Sequence, residues 1–280
     1  MTQYAIVNEG VAEVRRKPDH AAEQVSQFIL GSVLQVLSTR GKDAWYRVEG
    51  DDGYTGWVRS WSLTPHSRRS LQAYRIGPGV EVEALVGRVR EAASGRSLAM
   101  REAPLGARLR RLGRKGNWVR VGLPDGERGF MHRRDLLIDS QTFRARTRPR
   151  HVHGLLKTGL RMLGVPYQWG GVTPKGLDCS GLVQTTFAAH GVRLPRDSGD
   201  QFKWVKRESY ISRELHELQR GHLAFFGESD RKITHVGIGV GDGQILHAQG
   251  RVRVQSLRPQ DSDFNRPLFR LFRGCGPVLL

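Results

Sequence analysis

A cysteine and two histidines are the residues of this 280-residue sequence whose types and spacing best suit chemistry. Cys179 follows Asp178 and precedes a run from Leu182 to Ala189 that is apolar on one face, with Gly191 as a stop signal. This pattern predicts that Cys179 lies in the first turn of a helix. There the helix dipole and the free backbone N–H groups favour a thiolate, the reactive form of cysteine. We interpret the pattern as that of a cysteine hydrolase.

The two histidines fall on a predicted β-hairpin behind the cysteine. Residues 235–240 have the composition of a strand, residues 241–243 are a Gly-Asp-Gly turn, and residues 244–248 form the partner strand. A histidine that pairs with the cysteine lowers the pKa of the thiol and later protonates the leaving group. The chain order of cysteine, histidine and polar orienting residue is that of a papain-like triad.

The register of the hairpin decides whether the histidines can act together. A three-residue loop pairs Val240 with Gln244, so that His247 lies opposite Gly237. Because strand side chains alternate, His235 then shares a face with His247. A two-residue loop would place the histidines on opposite faces. The glycines of the first strand leave space for a substrate groove.

Five short motifs together resemble the NlpC-type cell-wall cysteine peptidases. The resemblance covers about residues 151–280, and the ordered set is more specific than any single motif. The matching segments are Tyr167–Gly171, Asp178–Gly181, Arg196–Ser198, His235–Gly237 and His247.

The resemblance implies catalytic roles for four of these residues. It makes Cys179 the nucleophile, His235 the base and His247 the third, orienting member. Tyr167 matches a family tyrosine near the nucleophile, which would join the Cys179 amide in an oxyanion hole.

The same resemblance implies substrate-binding residues around the nucleophile. Asp197 and Ser198 match positions that line the substrate site, and Trp169 matches its wall. Asp178 and Ser180, on either side of the cysteine, complete the predicted set.

An internal repeat organises the first half of the chain. Trp45–Val48 aligns with Trp118–Val121 at an offset of 73 residues, and Gly56 aligns with Gly129 at the same offset. Each copy has short alternating strands and glycine turns, as a small β-barrel does. The copies resemble bacterial SH3-like domains.

The predicted fold class is α+β. A papain-like catalytic domain, in which the Cys179 helix packs on an antiparallel sheet, follows two small SH3-like barrels. The resemblance implies that these barrels pack on the catalytic domain. The predicted boundaries are 1–65 for the first SH3-like domain, 66–84 for a connector, 85–140 for the second SH3-like domain, 141–150 for a basic linker and 151–280 for the peptidase domain.

The charge and composition restrict the partners. A net charge of +18 favours anionic partners, among them nucleic acids, membranes and acidic murein peptides, although an ordinary arginine-rich surface has the same composition. The sequence contains no recognisable nucleic-acid-binding motif, so we predict no nucleic-acid partner. It also contains no apolar stretch of about 18 residues, which predicts no membrane span.

Cofactors and a disulfide are not expected. His151 and His153 flank a helix start without a third ligand at metal spacing, so we predict neither metal nor cofactor. A disulfide between Cys179 and Cys275 would remove the nucleophile, and we expect two free thiols, as in a reducing compartment. Residues 1–9 lack the features of a signal peptide, which predicts a cytoplasmic location, or an extracellular one if the precursor is longer.

With two SH3-like repeats, the whole chain resembles γ-D-glutamyl-L-diamino acid endopeptidases, which cut murein stem peptides. The resemblance implies hydrolysis of the γ-D-glutamyl-diamino acid bond, without specifying the diamino acid, in murein peptide recycling. Two alternatives stay open. A wall-binding module would not need the cysteine and histidines, whereas an amidase or acyltransferase on this fold would keep them and change the pocket.

The architecture also implies selection for a free N-terminal L-alanine, because the first barrel would close one end of the groove. An ammonium group in such a pocket needs a carboxylate. We expect Asp197 to supply it, with a helix N-cap or turn role as the alternative. Candidates for a second partner from the first barrel are Glu49, Asp51, Asp52 and Tyr74.

Overall fold

The computed structural model describes residues 3–42, 44–138 and 152–278. They fall into two units, which divide the chain at residue 145. The predicted linker 141–150 and His151 lie outside the described residues. Within the described part of the chain, no helix is sufficiently long and apolar to span a membrane.

The first unit consists of two seven-stranded sheets with one helix between them in sequence. The strands of the first sheet are β1 Tyr4–Val7, β2 Val11–Arg15, β3 Gln24–Ile29, β4 Val33–Arg40, β5 Trp45–Glu49, β6 Thr55–Arg59 and β7 Leu63–His66. Those of the second are β8 Gly79–Val82, β9 Val86–Arg90, β10 Ala99–Pro104, β11 Arg108–Lys115, β12 Trp118–Gly122, β13 Arg128–His132 and β14 Leu136–Leu137.

The two sheets are copies of one topology. Their strand orders are β3-β2-β6-β5-β4-β1-β7 and β10-β9-β13-β12-β11-β8-β14, which differ only by seven in every strand number. The register repeats as well, since Trp45 pairs with Arg59 and Trp118 pairs with His132. The predicted internal repeat is therefore confirmed at the level of individual strand pairs.

The segment between the two barrels is shorter than the predicted connector 66–84. Helix α1, Arg68–Arg75, begins with a capping box at Ser67, and Tyr74 on this helix is buried against Ile6 of the first barrel. Strand β8 lies inside the predicted connector but pairs with β11 and β14 of the second barrel. Pairing between residues far apart in sequence determines this boundary, and local composition does not reveal it.

The second unit packs helices on an antiparallel sheet. Its helices are α2 Val152–Leu160, α3 Cys179–Ala188, α4 Ser198–Glu208 and α5 Arg266–Leu271. Strands β15 Val172–Thr173 and β16 Gly176–Leu177 form a small hairpin. The five-stranded sheet has the order β20-β19-β18-β17-β21, with β17 Leu223–Ser229, β18 Lys232–Gly241, β19 Gln244–Gln249, β20 Arg251–Ser256 and β21 Phe272–Gly276.

Helix α3 packs on the two central strands β18 and β19, and α4 packs on β18. Helix α2 approaches β19 closely at Gly159, where a β-carbon would lie 2.7 Å from Cδ2 of Leu246. The predicted class, a cysteine-bearing helix on an antiparallel sheet behind two SH3-like barrels, is confirmed. How the barrels pack on the catalytic domain stays a prediction.

The turn between β18 and β19 differs from the predicted one. Gly241, not Val240, pairs with Gln244, so the loop has only two residues. These are Asp242 and Gly243, whose φ angles of 51° and 69° are those of a tight hairpin turn with two left-handed residues.

A bulge in β18 restores the predicted register beyond the turn. The pairing shifts by one residue between Gly239 and Gly241. Ile238 therefore pairs with Leu246, which is the pair that the predicted three-residue loop would also produce. The extra residue therefore keeps His235 and His247 on one face of the sheet, although the loop itself is short.

Candidate active site

Cys179 is the first residue of helix α3, as the sequence predicts. The N-cap of this helix is Asp178, whose Oδ1 accepts a hydrogen bond of 2.7 Å from the Gly181 amide. Gly181 has to be a glycine, because a β-carbon there would lie 2.0 Å from the carbonyl oxygen of Gly171. The Cys179 side chain is buried, with 8% of the residue exposed.

A buried ion pair holds the start of this helix. The Arg196 guanidinium donates to both carboxylate oxygens of Asp178, at 3.1 and 2.5 Å, and to Oγ of Ser180 at 2.8 Å. The second carboxylate oxygen also accepts a hydrogen bond from the Gly170 amide. The side chains of Asp178 and Ser180, predicted to contact substrate, are thus turned inward, and they position Cys179.

The surroundings of Cys179 favour a neutral thiol. Burial, and then the Asp178 carboxylate, raise the pKa of Cys179 to about 12. Hydrogen bonds from the Val236 and Ser180 amides and the charge of Arg196 act in the opposite direction, with less effect. Burial of the charge thus opposes the thiolate that the start of a helix favours.

His235 and His247 form a hydrogen-bonded pair. Nε2 of His235 lies 3.0 Å from Nδ1 of His247, and Nε2 of His247 lies 3.1 Å from Oε1 of Gln255. His247 is fully buried, whereas His235 is half-buried. Val236, whose amide reaches the thiol, follows His235 in the chain. The structure thus joins the middle of β18 to the start of α3.

Both imidazoles are neutral at ordinary pH. Burial, and then the charge of His247, lower the pKa of His235 to about 3. Burial lowers the pKa of His247 to about 4, against the hydrogen bond to Gln255, which raises it. A neutral imidazole beside a neutral thiol can act as a general base.

Gly237 and Gly239 of β18 serve close packing. A β-carbon at Gly237 would lie 3.2 Å from Cβ of His247, and one at Gly239 would lie 2.3 Å from the carbonyl oxygen of Gln219. Both spaces are filled by the protein itself. The expected substrate groove therefore does not lie over these residues.

Tyr167 lies within electrostatic reach of the nucleophile. Burial, and then the negative charges of Cys179 and Asp178, raise the pKa of Tyr167 to about 12. Its hydroxyl therefore keeps its proton and can donate a hydrogen bond. Trp169, two residues further, is 59% exposed and can contact a substrate.

Asp197 and Ser198 lie at the start of α4. Asp197 occupies the N-cap position, but its exposed carboxylate does not cap the first turn of this helix, whose residues are all described. Ser198 Oγ donates a long hydrogen bond of 3.5 Å to the Ile233 carbonyl. Because the neighbouring Arg196 is anchored on Asp178, both residues lie close to the start of the Cys179 helix.

Three residues of this site were not assigned roles from the sequence. Arg196 belongs to the motif Arg196–Ser198, but nothing in this motif indicates that its side chain is buried. Gln255, and Asn265 beside it, lie outside all the motifs. Gln255 lies in β20, two strands from the β18 strand that carries His235, and nothing in the sequence near Gln255 indicates this contact.

The described residues contain no group of three or more His, Cys, Asp or Glu side chains placed to hold a metal ion. His153 is exposed at the start of α2. Cys179 and Cys275 are both free and buried.

Two families match different parts of the chain. Residues 164–271 match the NlpC/P60 family, and residues 10–64 and 84–136 match the bacterial SH3 domain. The first match contains the cysteine, both histidines and Gln255. The second falls on the two repeated sheets.

Two relatives carry the same name. The gamma-D-glutamyl-L-lysine dipeptidyl-peptidase of Bacillus cereus (strain ATCC 10987 / NRS 248) is 27% identical over 244 residues, which cover 84% of this chain and 70% of that protein. The one of Bacillus subtilis (strain 168) is 42% identical over 96 residues, which cover 34% of this chain and 31% of that protein.

Solved structures show the same fold. The crystal structure of an NlpC/P60 family protein from Bacillus cereus ATCC 10987 has a TM-score of 0.82 at 22% identity, covering 99% of this chain and all of the other. A structure of an NlpC/P60 endopeptidase from Photobacterium damselae subsp. piscicida has a TM-score of 0.64 at 15% identity, covering 98% of this chain and 70% of that chain. The solved structures thus show the fold, while the family matches and the relatives identify a cysteine peptidase with an NlpC/P60 domain at residues 164–271 and two bacterial SH3 domains before it in sequence.

Proposed function

We propose that this protein hydrolyses the bond between γ-D-glutamate and the diamino acid of murein stem peptides. The observation that carries the proposal is a buried cysteine at a helix start whose thiol accepts a hydrogen bond from the Val236 amide, next in the chain to the hydrogen-bonded His235. The bond is suggested by the name of the Bacillus cereus relative, whose alignment spans both the SH3 and the peptidase domains.

Acylation starts from the neutral pair. His235 takes the thiol proton while Sγ of Cys179 attacks the γ-carbonyl carbon of glutamate. The amide of Cys179 and the Tyr167 hydroxyl donate hydrogen bonds to the oxyanion. The C–N bond then breaks as His235 passes its proton to the amine of the diamino acid, and a thioester remains on Cys179.

Deacylation uses the same base. His235 takes a proton from water, the hydroxide attacks the thioester carbon, and the C–S bond breaks. The departing sulfur recovers the proton from His235, which restores the neutral thiol and releases the γ-carboxylic acid, which then loses its proton to water. His247 keeps the His235 ring in place through both steps by their 3.0 Å contact.

The second part of the proposal concerns the free end of the substrate. Asp197 is exposed at the N-cap of α4, next to the Arg196 that anchors the nucleophile helix. We infer that its carboxylate receives the ammonium group of an N-terminal L-alanine. Peptides with this free amine are those already detached from glycan, which would make the enzyme one of murein peptide recycling.

The test is mass spectrometry of products from defined peptides. The substrates are L-Ala-γ-D-Glu peptides with lysine or diaminopimelate at the third position, each with a free or an N-acetylated terminus. They are incubated with wild type, with Asp197→Asn and with the matched control Asp200→Asn, which lies in α4. We expect cleavage after γ-D-glutamate and a preference for the free amine that Asp197→Asn alone abolishes. Cleavage at another bond would overturn the assigned bond, and equal cleavage of acetylated peptide by the wild type would overturn amine recognition.

A wall-binding role without catalysis is not favoured by the site. Binding through the SH3 domains needs neither a buried cysteine at a helix start nor a hydrogen-bonded histidine pair, and burying such polar groups is unfavourable unless they are hydrogen-bonded.

A further inference from the structure

A hydrogen-bond chain leads from a backbone amide to the base His235. The amide of Leu268, in helix α5, donates to Oδ1 of Asn265 at 3.0 Å. Nδ2 of Asn265 donates to Oε1 of Gln255 at 3.0 Å, and this same oxygen lies 3.1 Å from Nε2 of His247. Nδ1 of His247 then lies 3.0 Å from Nε2 of His235.

The direction of every hydrogen bond in this chain follows from its first member. A backbone N–H can only donate, so the Asn265 oxygen must face Leu268, and the Asn265 NH₂ group must face Gln255. Gln255 therefore has to present its oxygen at this point, since two amide nitrogens cannot hydrogen bond to each other. An oxygen can only accept here, and His247 must carry its proton on Nε2.

The same reasoning continues through the two imidazoles. A neutral histidine has one N–H group, so Nδ1 of His247 is an acceptor and Nε2 of His235 is the donor. The proton of His235 is then on Nε2, and Nδ1 has a free lone pair. Burial, which keeps both rings neutral, makes the argument apply at ordinary pH.

We propose that Asn265 and Gln255 are positioning residues that hold His235 in the Nε2–H tautomer, with Nδ1 left unprotonated to accept the Cys179 proton. The inference rests on the proposed role of His235 as the base. Asn265 is 8% exposed and His247 is fully buried, whereas Gln255 between them is half-buried.

One substitution reverses the chain without removing the helix cap. Asn265→Asp keeps an oxygen for the Leu268 amide but presents a second oxygen to Gln255. The Gln255 amide must then turn its NH₂ group toward both Asp and His247. His247 would then accept at Nε2 and donate from its Nδ1 to Nε2 of His235. The proton of His235 would move to its own Nδ1, which has to be unprotonated to accept the Cys179 proton.

Two variants serve as matched controls. Gln255→Glu keeps an acceptor toward both Asn265 and His247, so the direction of the chain is preserved. Gln249→Ala removes the other, weaker acceptor of Asn265, at 3.4 Å, and does not touch the chain.

The decisive measurement is ¹⁵N NMR of the histidine rings, which reports the tautomer directly, combined with kcat and KM. We expect Nε2–H for His235 in wild type, Gln255→Glu and Gln249→Ala, and Nδ1–H in Asn265→Asp. In a serine peptidase triad a wrong tautomer lowers kcat by roughly 10⁴, so we expect a loss of at least about 100-fold in kcat with little change in KM.

Two results would overturn the proposal: an unchanged His235 tautomer in folded Asn265→Asp, or an Nδ1–H tautomer in the wild type. A switched tautomer with full activity would leave the chain intact and instead contradict His235 as the base. The failure of this inference is thus distinguishable from the failure of the proposed function.

Discussion

The protonation states of Cys179 and His235 are the central feature at the scale of single residues. A thiol with a raised pKa and an imidazole with a lowered one form a neutral pair, whereas an ion pair would require the pKa of the thiol to lie below that of the imidazole. The thiol proton therefore has to move to His235 during the attack. The tautomer of the His235 ring before the attack decides which nitrogen can accept this proton.

The reactivity of Cys179 toward iodoacetamide tests this neutral pair. In a Cys275→Ala background, which leaves one thiol, we expect the alkylation rate to rise steadily between about pH 6 and pH 9, because only the thiolate reacts. A thiolate–imidazolium pair would react at a constant rate across this range. A plateau that extends below about pH 6 would contradict the neutral pair.

The buried histidines predict a loss of stability in acid. The folded-state pKa of His247, about 4, is below the unfolded value, 6.5, so in this window the unfolded state binds the extra proton. The contribution of His247 to the free energy of unfolding is complete above pH 6.5. It decreases by about 1.4 kcal/mol per pH unit as the pH falls toward 4. Urea unfolding of His247→Asn should show a shallower acid dependence, whereas the exposed control His216→Asn should match wild type.

At the scale of elements, the start of α3 depends on one buried ion pair. Asp178 caps the helix, Arg196 neutralises it, and their side chains are 8% and 1% exposed. Removing one member of such a pair leaves an uncompensated buried charge, which is more harmful than losing the attraction itself.

Replacing Arg196 by Met should therefore destabilise the catalytic domain by about 3–5 kcal/mol. The double variant Asp178→Asn/Arg196→Met should regain part of this free energy of unfolding, because the uncompensated charge is gone. Lys203→Met, which breaks an exposed pair with Asp200, is the control and should have little effect. An equal loss in the single and double variants would contradict the argument.

The sequence predicts those elements whose signals are local. The periodicity before Gly191 places the Cys179 helix correctly. The hairpin register at Ile238 is also correct, although the predicted Val240–Gln244 pair is wrong, because the bulge compensates for the shorter turn. A bulge has no sequence signal apart from the glycines around it.

What the sequence could not reveal depends on burial. The burial that raises the pKa of Cys179 could not be predicted, because desolvation is a property of the folded interior. The hydrogen bonds of Arg196 to Asp178 and of Asn265 to Gln255 join residues from different elements, which no periodicity brings together. The inward orientation of Ser180 follows from the same network.

At the scale of the whole molecule, the basic charge is the property most relevant to the substrate. The net charge is +18, and murein stem peptides carry several carboxylates. A positive field increases the association rate of anionic ligands and is screened by salt, with a Debye length of about 10 Å at 0.1 M ionic strength.

The salt dependence of kcat/KM measures this field. We expect kcat/KM for a free stem peptide to decrease as NaCl increases, mainly through a higher KM. The same peptide with amidated carboxylates is the control and should respond less. An identical response of the two peptides would show that the charge does not assist substrate capture.

The central claim about this molecule is that Cys179 is the nucleophile. The most direct measurement compares the turnover of an L-Ala-γ-D-Glu-diamino acid peptide by purified Cys179→Ala, Cys275→Ala and wild type, with circular dichroism to confirm folding. Removal of a triad nucleophile costs roughly 10⁶ in kcat in a serine peptidase, so Cys179→Ala should show no measurable hydrolysis, while Cys275→Ala stays close to wild type. Turnover retained by folded Cys179→Ala would contradict the assignment of this residue as the nucleophile.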